Sequence, residues 1–349
     1  MHIVVVGLSH RTAPVEVREK LSIPDQSITE SLKALKAFSE VLEVSILSTC
    51  NRLEIYALVK DKNTGISSIK EFISNYSGII FEDLNPHLFC FKQEDAVLHL
   101  MKVSAGLDSL VLGEGQILSQ VKKMMRLGQE NQSTGPILNR LLTQSVSTGK
   151  KVRSETNLGT GAVSISSAAV ELAQLKIGQE KGLDALVSLE SEKVLVVGAG
   201  RMSRLLITHL KSKGCNKLHL VNRNIDRALN LAVDFPDLEI VCEGLNELGK
   251  NISISTLVFT STASEVPIID LAKIEKLNLI KKLKFIDIGV PRNISNDVKK
   301  HQLVESFDVD DLQEVVSRNQ EFRQKIAKEA ESLVDEERII FLEWWASLE

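Results

Sequence analysis

Lys193-Val194-Leu195-Val196-Val197-Gly198-Ala199-Gly200-Arg201-Met202-Ser203 is an unbroken apolar run that ends in G-x-G and passes into residues of helical character over Met202–Leu210. Such a short run, closed by glycine, fits a strand buried on both faces in a parallel sheet. In a dinucleotide turn the two glycines do different work. Gly198 permits the tight bend, Gly200 lets the backbone approach a pyrophosphate, and the N-terminus of the next helix faces the anion. Ser203 stands at the third glycine of the fingerprint, small enough for helix and strand to pack.

Outward from that turn, Leu218-His219-Leu220-Val221 ends in Asn222-Arg223. An NAD site places an acidic residue there for the ribose hydroxyls. Asn222 and Arg223 suit a 2′-phosphate instead, so the expected cofactor is NADPH. Thr256–Ser264 and Lys284–Arg292 repeat the passage from apolar run to small or polar loop. Open parallel sheets bind ligands at those carboxyl ends, so Gly289, Pro291 and Arg292 are candidates for the nicotinamide side, with simple loop geometry as the competing reading. This half reads as an α/β Rossmann-like domain.

Upstream, Gly178–Glu192 is a charged connector, and the glycines at 159 and 161 mark a hinge, with the domain boundary near Asn157. Residues 1–156 follow another pattern. A strand is expected over 2–7, a helix over 27–39, and strands over 41–49 and 53–60, which suggests a compact α+β unit. Between the last two lies Ser48-Thr49-Cys50-Asn51-Arg52. A cysteine at such a turn presents its sulfur to a pocket while the flanking strands hold it. Arg52 is a permanent charge able to favour the thiolate or to grip a carboxylate. Simple burial is the competing reading of any lone cysteine.

Glu94–Gly106 reads as a helix with Val97, Leu98, Met101 and Ala105 on one face and Asp95, His99 and Lys102 on the other. His99 is therefore expected in solvent, or in a cleft as a general base. Gly113-Glu114-Gly115 suggests a turn opening a helix near Gln116. Ser109, Glu114, Gln116 and Gln120 offer groups for a polar amino-acid moiety, or simply a polar helix start. The helices beyond carry Lys122, Lys123, Arg126, Arg140, Lys150, Lys151 and Arg153, the best candidates for phosphate contacts. At the other end, Leu312, Val315, Phe322, Ile326, Ala330, Leu333, Ile340, Trp344 and Leu348 recur at helical spacing. One long amphipathic helix is expected, with tryptophans that nothing covers.

With 349 residues, the chain is too long for one ordinary core. Its net charge of −4 excludes nucleic-acid binding by bulk electrostatics and leaves only local basic patches. Four scattered cysteines fit a reducing cytoplasm and argue against a zinc site, and no apolar run reaches the length of a membrane span.

As a whole the sequence resembles the glutamyl-tRNA reductase family. The resemblance is carried by Gly7-Leu8-Ser9-His10-Arg11-Thr12-Ala13-Pro14, Ser48–Arg52, Gly113-Glu114-Gly115-Gln116-Ile117, Gly161-Ala162-Val163-Ser164 and Asp287-Ile288-Gly289-Val290-Pro291-Arg292. It implies NADPH-dependent reduction of glutamyl-tRNA to glutamate-1-semialdehyde through a thioester, with Cys50 as nucleophile and His99 assisting. Thr49, Asn51, Arg52, Ser109, Glu114, Gly115, Gln116 and Gln120 match positions lining the glutamate site, and Gly198, Ala199, Gly200, Arg201, Met202 and Ser203 match the NADP site. The fold implied is an α+β catalytic domain over 1–156, a Rossmann-like NADP domain over 157–305, and a spinal helix beginning in 306–349 that leads to a dimerisation domain. That helix stops at Glu349, so the family's homodimer is not expected by the usual route. Glutamate-1-semialdehyde aminomutase is the further partner the resemblance allows. A small-metabolite dehydrogenase of the shikimate-dehydrogenase type and a non-catalytic tRNA-binding protein are the alternatives.

Overall fold

The computed structural model describes residues 1–156, 158, 164–317 and 320–348; Asn157 and Gly161–Val163, on which the boundary and one motif were read, lie outside them. Two units gather separate cores, Met1–Val163 with Asn319–Glu349, and Ser164–Arg318.

The first unit is built on a four-stranded antiparallel sheet. Its strands are β1 (His2–Ser9), β2 (Val41–Ser48), β3 (Arg52–Val59) and β4 (Phe89–Lys92), in the order β2-β3-β1-β4. The β4 strand, only four residues long, is too short to show a period and was not expected. Helices cover both faces, so every residue of β3 is buried, Glu54 included. On one side Val4, Val6, Ile55 and Ala57 meet α1 (Asp25–Lys36) and α2 (Lys62–Ser77); on the other Ile3, Val5 and Tyr56 meet α3 (Glu94–Ala105), α4 (Gln116–Glu130) and α5 (Pro136–Glu155). The register pairs Ser9 with Arg52 and Ser48 with Leu53. It thereby brings the end of β1 beside the β2–β3 turn.

The C-terminal helix, Gln320–Ala346, packs along α3 and α5. Its tryptophans are covered, contrary to expectation. Trp344 lies tilted against Phe341 at 5.4 Å, Trp345 stacks on it at 6.3 Å, and Arg140 lies over Trp344 at 5.5 Å. The basic helices are likewise largely committed within the unit. Lys151 pairs with Glu337 at 3.1 Å, Lys123 with Asp25, and Arg126 with Glu130 at 3.7 Å, while Arg153 donates to Gly113 O at 3.2 Å. This leaves exposed Lys122 and Lys150, rather than a continuous stripe, for phosphate contacts.

The second unit is a six-stranded parallel sheet. Its strands β5 (Val194–Val197), β6 (Lys217–Asn222), β7 (Glu239–Gly244), β8 (Leu257–Thr260), β9 (Leu283–Asp287) and β10 (Val304–Phe307) run in the order β10-β9-β8-β5-β6-β7. The order reverses at β5, and a ligand crevice opens at such a switch point. The helices α6 (Ile165–Glu180), α7 (Arg201–Ser212) and α8 (Ile225–Ala232) belong to the same unit. Among the described residues no helix is long and apolar enough to cross a membrane.

The loop after β9 is held by one buried carboxylate. Asp287 accepts from Thr260 Oγ1 and from the backbone N–H groups of Gly289, Asn293 and Ile294, at 2.7–2.9 Å. Burial pushes its carboxyl up to about 6 against the pull of those four donors. Asp287→Asn turns an NH2 toward N–H donors, and each unsatisfied buried donor costs about 1–3 kcal/mol. The urea midpoint of the second unit is expected to fall; an unchanged midpoint would contradict this clasp.

Candidate functional site

Cys50 sits at the tip of the β2–β3 hairpin. Thr49 N donates to Arg52 O at 2.9 Å, Asn51 N to Thr49 Oγ1 at 3.1 Å, and His10 N to Asn51 O at 2.9 Å. The backbone on both sides of the thiol is therefore fixed. The cysteine itself is half-buried. Burial pushes its thiol up to about 12, Glu114 adds to the shift, and Arg18 and Arg52 only partly oppose it. Arg52 thus favours the thiolate, in the direction the sequence suggests, but too weakly to offset burial. The proton must leave as substrate arrives.

Nor is Arg52 a free cation in a pocket. Its side chain is 1% exposed, Nη1 donates to Glu54 at 2.5 Å and to Asp108 at 3.0 Å, and Nη2 donates to Asp108 O at 2.6 Å. Three of its five N–H groups are thereby committed, and Asp108 also pairs with Arg11 at 3.2 Å. Glu54 is the opposite pole of the cluster, accepting from Tyr56 Oη at 2.6 Å. Burial alone would raise its carboxyl, but His99, Arg52 and Tyr56 overcome this and hold it at about 2.

His99 is not on the solvent side of its helix. Its side chain is 11% exposed, its ring lies 5.0 Å from both Phe89 and Phe91 of β4, and Nε2 bonds Glu54 at 2.9 Å. The unforeseen fourth strand covers the face that looked exposed. Glu54, His99 and Asp108 bring ligand atoms within 4.8 Å of one another, as a metal site would. Arg52 already puts a fixed cation among them, so the set is an ion-pair cluster.

The second predicted segment turns at Gly113, whose φ of +78° and close approach to Leu158 O leave no room for a side chain. Arg153 braces this turn through Gly113 O. Glu114 is 8% exposed, and burial pushes its carboxyl up to about 7, with Arg52 pulling the other way. Gly115 caps α4, Gln116 begins it, and Gln120 lies half-buried one turn on. Asn51 Oδ1, Ser109 Oγ and Gln116 Nε2 are buried without a hydrogen-bond partner. Buried polar atoms are nearly always paired. These three are groups of the kind that a polar ligand completes.

In the second unit, a cleft of about 580 Å³ opens at the carboxyl ends of the strands. It is lined by Gly198, Ala199, Gly200, Arg201 and Met202, by Asn222 and Arg223, and by Ser261–Ser264. Gly198 has φ +111°, and a Cβ there would press on Ser261 O at 2.9 Å; beside Gly200 the space is open. Helix α7 begins with no side-chain cap, leaving its first N–H groups available to an anion. Ser203 is fully buried, and its Oγ meets Ser261 Oγ at 2.8 Å, so the hydroxyl bridges helix and strand where glycine would only allow contact. Asn222 Nδ2 donates to Asn224 O at 2.7 Å, which shapes the loop. Arg227, not singled out from the sequence, also lines the cleft. It stands four residues after Arg223, a helical spacing that could have revealed it. These residues fit a dinucleotide.

Residues 6–156 match the family described as "Glutamyl-tRNAGlu reductase, N-terminal domain", and residues 180–315 match "Shikimate / quinate 5-dehydrogenase". The chain is 94% identical over 349 residues to "Glutamyl-tRNA reductase" of Prochlorococcus marinus (strain MIT 9312), spanning all of this chain and 80% of that protein. It is 67% identical to the protein of the same description in strain MIT 9211, with the same coverage. The solved structure "Glutamyl-tRNA Reductase from Methanopyrus kandleri" is similar at 30% identity and a TM-score of 0.51, covering 99% of this chain and 81% of that one.

The Glu54 cluster predicts a pH dependence. Its folded pKa of about 2 lies below the ordinary 4.5, so its stabilising contribution is complete above about 4.5 and lost as pH falls toward 2. The stability of the first unit, followed by urea denaturation, is expected to decline over that interval. Glu54→Gln is expected to flatten the decline; an equal slope in the variant would contradict the assignment.

Proposed function

The chain belongs to the glutamyl-tRNA reductase family, and from that premise we propose that Cys50 is the nucleophile and NADPH the reductant in its reduction of glutamyl-tRNA. The product is glutamate-1-semialdehyde, with release of tRNA, at the start of 5-aminolevulinate and porphyrin synthesis. The single observation that carries the assignment to Cys50 is its tightly bonded turn, found in the same unit as three buried polar atoms with no partner. A small-metabolite dehydrogenase reading leaves the match over residues 6–156 without explanation.

The chemistry follows from the residues. Cys50 sulfur bonds to the ester carbonyl carbon as the thiol proton passes to His99, and the carbon–oxygen bond to the terminal ribose breaks. The leaving oxygen takes up a proton, a task assigned to His99, whose Nε2 is held by Glu54 and whose other ring nitrogen remains for transfer. General acid–base assistance of this kind is worth about 10²–10⁴-fold. Cysteine suits the step because the resulting thioester accepts hydride more readily than an ester. A bound nicotinamide supplies that hydride. The carbon–sulfur bond then breaks, the aldehyde leaves, and Cys50 regains its proton. Asn51, Ser109, Glu114 and Gln116, with Thr49, Gly115 and Gln120 around them, receive the glutamyl group, while Arg52 fixes the cluster behind it.

NADPH rather than NADH is proposed because Asn222 is not acidic and because Arg223 and Arg227 make no side-chain bond or ion pair among the described residues. Contact with glutamate-1-semialdehyde aminomutase is proposed on the family resemblance alone. Two experiments test these assignments. Cys50→Ser is expected to lower kcat for NADPH-dependent reduction by at least about 10³-fold, with glutamyl-tRNA retention on filters preserved; activity within tenfold of the parent would overturn the role of Cys50. Arg223→Ala is expected to raise KM for NADPH by about tenfold while sparing NADH, since a charged hydrogen bond to phosphate is lost. Equal effects on both cofactors would contradict the 2′-phosphate assignment.

A further inference from the structure

His10 lies in the segment Ser9-His10-Arg11-Thr12-Ala13-Pro14, which has no part in the function derived above. The residue leaves β1 one position beyond the Ser9–Arg52 pair, and its backbone N–H donates to Asn51 O at 2.9 Å. That bond fastens it to the Cys50 turn. Its ring is fastened less completely. Nδ1 is buried and has no hydrogen-bond partner, while the residue as a whole keeps part of its surface exposed, on the Nε2 side.

This asymmetry selects a tautomer. A proton on Nδ1 would be a buried donor with no acceptor, which carries the full desolvation penalty, whereas a proton on Nε2 can meet solvent or a ligand. A second proton on the ring is opposed by burial and by Arg52, Arg11 and Arg18, with only Asp108 favouring it, and its pKa falls to about 4. At neutral pH His10 is therefore an uncharged imidazole carrying one N–H on its open side. Arg18 and Arg52, whose charges act on this ring, also act on the Cys50 thiol. The backbone bond to Asn51, the residue after Cys50, places His10 beside the thiol's turn.

We propose that His10 is a catalytic hydrogen-bond donor, its Nε2–H binding the carbonyl oxygen of the glutamyl ester as Cys50 attacks. The inference rests on Cys50 as nucleophile. Sulfur bonds to the carbonyl carbon, the π pair moves onto oxygen, and the hydrogen bond strengthens with the charge. Return of that pair breaks the bond to the ribose oxygen and leaves the thioester. No proton leaves His10. A neutral donor suits this work because it stabilises the oxyanion without protonating it, and because it needs no counter-charge in a site already crowded with arginine.

The test is single-turnover acylation of the full chain by glutamyl-tRNA without NADPH, quenched in acid and followed by intact mass. Removal of one oxyanion donor typically slows such a step about 10²–10³-fold. His10→Ala is expected to show that loss, with the half-saturating glutamyl-tRNA concentration and the urea midpoint unchanged. His10→Gln, which restores an N–H donor, is expected to recover at least about tenfold of the loss. Acylation of His10→Ala at the parent rate, a defect confined to weaker binding, or a folded His10→Gln no faster than the alanine variant would each overturn the proposal. Failure of the nucleophile assignment is distinguishable, because then the unsubstituted chain itself gives no adduct on Cys50.

Discussion

The buried guanidinium of Arg52 is the interaction on which the first unit turns. It joins β3 to the segment after α3 by holding Glu54 and Asp108 together, two positions that the chain separates by 54 residues. A charge buried in this way is tolerated only when it is paired and its hydrogen bonds are satisfied. Arg52 meets both conditions with side-chain and backbone partners. The cluster then positions what surrounds it: His99 through Glu54, Arg11 through Asp108, and Cys50 through the turn that Arg52 closes. Removing one partner would leave an uncompensated buried charge, at a cost of about 3–5 kcal/mol.

The electrostatics of the site favour neutral groups at rest. The thiol of Cys50 is held well above its usual range, Glu114 titrates near neutrality, and His10 is kept uncharged. Such a site is quiet until a ligand changes the balance. In the reaction proposed above, the glutamyl group completes the orphaned atoms of Asn51, Ser109 and Gln116. The second unit has the opposite character. Its cleft offers uncapped backbone N–H groups and two arginines that have no side-chain partner among the described residues. On the proposed assignment, one unit carries the acyl chemistry and the other the nicotinamide cofactor.

Much of this was legible where the signal is local. The Lys193–Ser203 turn could be read because strand, glycines and helix follow one another within eleven residues, and the hairpin around Cys50 because apolar runs flank a polar tip. What depended on distant residues could not be read. The partners of Arg52 stand two and 56 positions away, so a buried clamp looked like a free cation. The setting of His99 depends on Phe89 and Phe91, in a strand too short to show alternation. The hydroxyl bridge of Ser203 could not be read because its partner, Ser261, lies at another strand end. The tryptophans near the C-terminus looked uncovered for the same reason, since Arg140 and the helices beneath them are far away in sequence.

The proposed reaction depends on a covalent bond at one sulfur. The most direct measurement is peptide mapping of the chain after acid quench with glutamyl-tRNA in the absence of NADPH, to locate any added glutamyl group. One glutamyl group on the peptide containing Cys50, labile to hydroxylamine as a thioester is and discharged when NADPH is added, is the result predicted. Unmodified Cys50 beside tRNA that remains charged, or a glutamyl group on another residue, would contradict it.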